Sequence, residues 1–254
     1  MERICVMVLD HPLISRRYFF PREGAPAEPF WVDCGEAQLA CSYIVRDPQA
    51  KTLVHFHGNG EIVSDYLSDF QEALLQLGVN VFLAEYRGYG GSTGAPSLVK
   101  MLDDTSAIFD AIGLPQEQLV IFGRSVGSIY ALEFADRYPD IAGLVIESGI
   151  ADPLSRIIFR VDPDELGVSE AQMAEEAAEY LDHQKKLERL RAPLLILHTE
   201  HDHIVDKDHA ERNIAWAGCA DKTLHLFPRG DHNTIMFLNG PEYMEQLRGF
   251  LGRL

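Results

Sequence analysis

Gly123-Arg124-Ser125-Val126-Gly127 is the stretch that decides the reading of this chain. It follows residues 118–122, an apolar run of β character, and it opens residues 125–138, where Val126, Ile129, Tyr130 and Phe134 recur at helical spacing. A strand, a G-x-S-x-G turn and a helix together describe a nucleophile elbow, in which a serine is held on a tight, strained turn. The flanking glycines let neighbouring backbone close on that turn. Ser125 is therefore the expected nucleophile. The five-residue pattern is short, and partners for the serine must be found elsewhere in the chain.

Upstream, residues 30–34 and 38–45 flank Gly35 and predict an antiparallel pair, followed by a buried strand at 52–57. Residues 61–77 place Val63, Tyr66, Leu67, Phe70, Leu74 and Leu77 on one face, predicting one amphipathic helix that stops at Gly78. Strands at 80–85, 118–122, 143–147, 194–198 and 223–227 then alternate with helices at 98–112, 125–138 and 208–216. A last helix is expected after Asn239-Gly240, with Pro241 in its first turn. This alternation implies an α/β fold: a mainly parallel sheet with helices on both faces.

Residues 148–192 break the alternation without adding a strand, and they read as a small helical cap insertion. Ser169 and Gln172 form a capping-box pattern at the head of a helix carrying Met173, Ala177, Tyr180, Leu181 and Leu187. Between Asp162 and Asp182 lie eight acidic residues and no basic ones, either a solvated face or a means of selecting substrates by charge. Leu154, Ile157, Ile158 and Phe159 either line an acyl pocket or pack internally.

The 254 residues are read as one domain, 1–254, large enough for a single sizeable core. A formal charge of −17 opposes nucleic-acid binding and attraction to anionic membrane surfaces. No apolar run is long enough to cross a bilayer. Residues 1–10 lack the features of a signal peptide, so a cytoplasmic location is expected. Cys5, Cys34, Cys41 and Cys219 show neither C-x-x-C spacing nor scaffold density and read as reduced thiols, with a Cys34–Cys41 bridge left open.

A serine hydroxyl needs a histidine base, and that base an orienting acid. Among ten histidines, His232 stands out in the turn-rich loop Pro228-Arg229-Gly230-Asp231-His232-Asn233, directly after the last expected strand. Asp202 follows the strand at 194–198, at the carboxyl edge where active residues of open α/β sheets gather. Glu147 and Asp206 compete with it for the role of acid. Charge on the acyl oxygen calls for two backbone donors. Val126 offers one at a helix start, and His57-Gly58-Asn59-Gly60 offers the second at Asn59.

Together these motifs, with Tyr86-Arg87-Gly88-Tyr89-Gly90-Gly91-Ser92, make residues 30–254 resemble the α/β-hydrolase superfamily, and especially its compact esterases and protein depalmitoylases. The resemblance implies Ser125 as nucleophile, His232 as base, Asp202 as acid, and Asn59 and Val126 at the oxyanion hole. The sequence departs from the family's usual pattern at Thr199, where glycine is common, and at His201 and His203, which flank Asp202. A serine rather than an aspartate nucleophile argues against dehalogenase or epoxide-hydrolase chemistry. Arg87 is expected to pin a turn. The expected substrate is a small-molecule acyl ester or thioester, with amide and carbon–carbon hydrolysis left open as alternatives; no cofactor and no metal are implied. Two other classes compete: a metallohydrolase using His55 and His57 or the group His198, His201, Asp202, His203 and His209, and a non-catalytic binding module.

Overall fold

The computed structural model describes residues 7–254; residues 1–6, including Cys5 and most of the stretch examined for a signal peptide, lie outside it. Eight strands form one sheet: β1 (Phe30–Asp33), β2 (Gln38–Ile44), β3 (Thr52–Phe56), β4 (Asn80–Ala84), β5 (Leu119–Arg124), β6 (Gly143–Glu147), β7 (Leu194–Thr199) and β8 (Lys222–Phe227). Their spatial order is β1-β2-β4-β3-β5-β6-β7-β8. β2 runs antiparallel to β1 and β4, and every later pairing is parallel.

Nine α-helices connect the strands among the described residues: α1 (Pro12–Tyr18), α2 (Asp69–Leu75), α3 (Leu98–Ile112), α4 (Gly127–Arg137), α5 (Pro153–Ile158), α6 (Glu170–Tyr180), α7 (His183–Arg189), α8 (Lys207–Trp216) and α9 (Ile235–Leu251). The central strands are buried on both faces, so successive residues feed two separate cores. Val54, Phe56, Ile121 and Ile146 pack with α3, α4 and α8. Leu53, Phe122, Val145 and Leu197 pack with α2 and α9. Each large apolar side chain so enclosed contributes about 1.5–3 kcal/mol.

The structure corrects the expected elements in three places. The helix expected at 61–77 is two pieces, a 3-10 turn at Val63–Tyr66 and then α2, because Ser68 (φ −94°, ψ −97°) leaves the helical region. The 3-10 turn is held from outside, since Glu85 accepts the Val63 N–H at 2.9 Å. The last helix begins at Ile235, ahead of Gly240, and kinks at Asn239 (φ −124°). Pro241 brings no N–H to that turn, and the Asn239 amide donates instead to the carbonyls of Ile235 and Arg229. Finally, α1 was not anticipated, although Pro12 at its first turn and Ile14 with Tyr18 one turn apart carry its signature.

Between β6 and β7 the chain forms α5, α6, α7 and a 3-10 turn at Pro163–Leu166, with no strand. Ser169 and Gln172 do form the capping box of α6, but Leu187 belongs to α7. α6 packs on the N-terminal 3-10 turn at Val8–Asp10, and α7 packs against α4 and α8. Among the described residues, Ile150 ahead of α5, α5 itself and the turn after it are what this segment brings to the sheet's carboxyl edge beside Ser125. Four of the eight acidic residues have structural roles: Asp162 and Asp182 cap helices, Glu165 pairs with Arg17, and Glu176 accepts the N–H groups of Val8 and Leu9.

Candidate active site

Ser125 lies between β5 and α4 with φ +53°, a left-handed conformation that a non-glycine residue rarely adopts. The surrounding structure leaves it little choice. Its N–H donates to the Glu147 carbonyl at 2.9 Å, and its own carbonyl accepts from the Ser128 hydroxyl at 2.6 Å. The glycines on either side are steric necessities. A Cβ on Gly127 would stand 2.1 Å from the Phe56 carbonyl oxygen, and one on Gly123 would stand 2.6 Å from both Ala131 Cβ and the Gly127 carbonyl oxygen.

The turn presents the Ser125 hydroxyl to His232, with Oγ 2.9 Å from Nε2. On the far side of the ring, His232 Nδ1 lies 2.7 Å from Asp202 Oδ2. Asp202 Oδ1 accepts the N–H groups of Ile204 and Val205 at 2.9 and 2.8 Å. Burial pushes this carboxyl up, but the bond from His232, its charge and the two backbone donors outweigh that, so it is held below its ordinary value. The carboxylate therefore fixes the imidazole with Nδ1 protonated and Nε2 free to accept the serine proton. The competitors stand elsewhere. Glu147 pairs with Arg124 at 3.0 Å and accepts the Tyr243 hydroxyl, while Asp206 caps α8.

Asn59 and Val126 both line the cavity over Ser125. Among the described residues, neither backbone N–H meets a protein acceptor. The Asn59 side chain holds the loop: its oxygen accepts from Phe20 N–H and the Tyr89 hydroxyl, and its amide donates to the Tyr18 carbonyl. Tyr89 belongs to the 86–92 loop, so that loop braces the turn holding Asn59. Arg87 in the same loop forms a buried two-point pair with Asp104, both contacts at 2.6 Å.

The paired histidines of β3 diverge. His55 faces Tyr66, Phe70 and Phe122, has no hydrogen-bond partner for either ring nitrogen, and is pushed well down by burial. His57 points the other way, with Nε2 2.7 Å from Glu85 and Nδ1 2.8 Å from the Gly58 carbonyl. Burial pulls the His57 ring down, but the charge and hydrogen bond of Glu85 outweigh it and hold the ring above its ordinary value. Among the described residues no three His, Cys, Asp or Glu side chains converge as metal ligands. Cys34, Cys41 and Cys219 are free thiols.

A cavity of about 220 Å³ opens over Ser125 and His232. Of the two readings of Leu154, Ile157, Ile158 and Phe159, internal packing holds for the first three, and none of the four lines the cavity. Ile157 is fully buried, Leu154 and Ile158 pack against the core, and Phe159 is 82% exposed. The walls come instead from Tyr18 at the end of α1, Phe20 just beyond it, Ile150, Ile204, Val205, and the arginines Arg156 and Arg160. α5 turns its apolar stripe, with Ile157, to the core and leaves Arg156 on the cavity side.

This fold and elbow are those of an α/β-hydrolase. A family model described as serine aminopeptidase, S33, matches residues 47–161 and 150–237, and the chain belongs to this family. It is 27% identical over 220 residues to alpha/beta hydrolase domain-containing protein aho-3 of Caenorhabditis elegans, covering 84% of this chain and 61% of that protein, less than two thirds of its length. It is 26% identical over 221 residues to human alpha/beta hydrolase domain-containing protein 17B, covering 85% of this chain and 72% of the human one. Among solved structures, a monoacylglycerol lipase of Paleococcus ferrophilus matches with a TM-score of 0.65 at 20% identity, over 84% of this chain and 98% of that one. An esterase of Pyrococcus furiosus matches at 0.70 and 16% identity, over 92% and 99%. At these identities the structural likeness speaks for the fold.

Proposed function

We propose that this hydrolase cleaves carboxylic esters or thioesters through an acyl-enzyme formed on Ser125. The observation that carries the reading is the continuous relay from Ser125 Oγ to His232 to Asp202, at 2.9 and 2.7 Å. His232 takes the serine proton as Oγ attacks the acyl carbonyl, then returns it to the leaving group. The C–O or C–S bond breaks, and a water activated by the same ring releases the acid and restores Ser125. The Asn59 and Val126 N–H groups stabilise the oxyanion of both tetrahedral steps. The cytoplasmic location expected from the sequence is part of this reading.

Two features bear on the substrate. The cavity lies below the roughly 300–1,000 Å³ usual for drug-sized ligands, which favours short acyl groups. Amide hydrolysis is the second reading, because the family description names an aminopeptidase. Such an enzyme must hold a peptide's terminal ammonium, and the cavity wall contains no Asp or Glu. Esters are thus the better fit. Hydrolysis of p-nitrophenyl acetate, butyrate and octanoate, their thioester counterparts and an aminoacyl p-nitroanilide tests the assignment. Short esters or thioesters should be the best substrates, and an enzyme active only on the anilide would refute it.

A further inference from the structure

The wall of the cavity over Ser125 carries three arginines, Arg124, Arg156 and Arg160, and no carboxylate. In a chain with 39 acidic and 22 basic residues this is a local reversal of sign. Arg124 is neutralised by Glu61 and Glu147. Arg156 and Arg160 are different: among the described residues neither pairs with a carboxylate, whereas Arg17, Arg22, Arg87 and Arg189 all do. Arg156 is half-buried. Arg160 is exposed, with its guanidinium 5.1 Å from the ring of Phe20 on the cavity wall. Their charge reaches inward: burial pushes the Tyr18 hydroxyl up to about 12, against the pull of both guanidiniums. Arg156 projects from α5 and Arg160 from the turn after it.

An unpaired guanidinium in a partly desolvated cleft is a strong, directional anion receptor, and a cationic cleft in an acidic protein focuses its field on the substrate. Building on the ester-hydrolase reading, we propose that Arg156 and Arg160 select esters carrying an anionic group in the acyl or the alcohol half. The neutral, short apolar acyl chain would then be a poorer substrate than its carboxylate-bearing counterpart.

The test compares kcat/KM for matched pairs. p-Nitrophenyl monosuccinate against p-nitrophenyl butyrate places the charge in the acyl half, and p-carboxyphenyl acetate against its methyl ester places it in the alcohol half. At least one pair should favour the anion by about tenfold or more at low salt, and the ratio should fall as salt rises. The double variant Arg156→Gln/Arg160→Gln should lose that preference about tenfold, mainly through KM, while Arg191→Gln, remote from the cavity, keeps it. Binding gives a readout free of turnover. Monomethyl succinate should raise the Tm of Ser125→Ala and leave unchanged that of the variant also carrying both glutamines. Equal rates for charged and neutral esters, or a preference that survives the double substitution, would overturn the proposal. Fluorophosphonate labelling of Ser125 reports separately on the nucleophile, so a labelled enzyme without charge preference refutes only the anion site, and an unlabelled one refutes the reading beneath it.

Discussion

Arg124 Nη2 donates to the carbonyl oxygen of His232 at 3.0 Å, tying the residue before the nucleophile to the histidine that faces it. The same guanidinium pairs with Glu61 at 2.6 Å and with Glu147 at 3.0 Å. Glu61 in turn accepts the Gly58 N–H at 2.6 Å, at the start of the turn holding Asn59. One largely enclosed side chain thus connects the elbow, the histidine loop and the turn holding Asn59. Arg124→Gln frees the His232 loop and leaves Glu147 buried without its partner. The expected result is a fall in kcat on the order of 10²-fold with a smaller change in KM, and a loss of about 3–5 kcal/mol of stability. Steady-state kinetics and thermal unfolding check both.

Asp202→Asn should lower kcat by about 10⁴-fold, since the amide no longer fixes the protonated Nδ1 of His232. Glu147→Gln should instead act on stability through its lost pair with Arg124. Comparing the two variants on one ester separates orienting acid from structural acid. The sign for Asp202 follows from its lowered value. Its contribution to stability is present above the ordinary 3.8 and is lost only as pH falls through the lower folded value.

The His57–Glu85 pair has the opposite sign. His57 is held above its ordinary 6.5, so its stabilisation is complete below 6.5 and disappears as pH rises through the raised value. The Tm gap between the wild-type protein and His57→Gln should therefore be widest on the acid side and narrow towards alkaline pH. A gap that widens with pH would contradict the ion-pair assignment.

Gly127→Ala places a methyl group against the Phe56 carbonyl, 2.1 Å away, where backbone must move to admit it. A cost of about 3 kcal/mol or more is expected, read as a lowered Tm. Gly240→Ala is the comparison, because nothing lies within 4 Å of its added carbon, and it should be nearly silent.

Much of this was legible in the sequence, for reasons that differ residue by residue. Ser125 was readable because the elbow's sterics demand glycine at both flanks. His232 and Asp202 were readable because parallel strands deliver their following loops to one edge. Asp202 was preferred to Glu147 already in the sequence, because Asp202 lies in a loop past its strand whereas Glu147 is the last residue of its own; what the sequence hid is the partner that occupies Glu147, Arg124. The break at Ser68 was hidden because hydrophobic spacing runs straight through it, and the helix start at Ile235 was hidden because Asn239-Gly240-Pro241 carries the signature of a helix beginning. The cavity wall was the least legible part. Arg156 and Arg160 look like ordinary solvent-facing residues of a short helix and the turn after it, and Tyr18 and Phe20 come from a segment more than a hundred residues upstream of Ser125. Long-range convergence of that kind leaves no local pattern.

The central claim is that Ser125 carries the acyl group, and intact-mass spectrometry after a fluorophosphonate treatment tests it most directly. The wild-type protein should gain one phosphonyl adduct, mapped by peptide fragmentation to Ser125, and lose its esterase activity in step with labelling, while Ser125→Ala gains none and has essentially no activity towards p-nitrophenyl butyrate. A folded Ser125→Ala protein that still turns over the ester, or an adduct mapped to any other residue, would contradict the account.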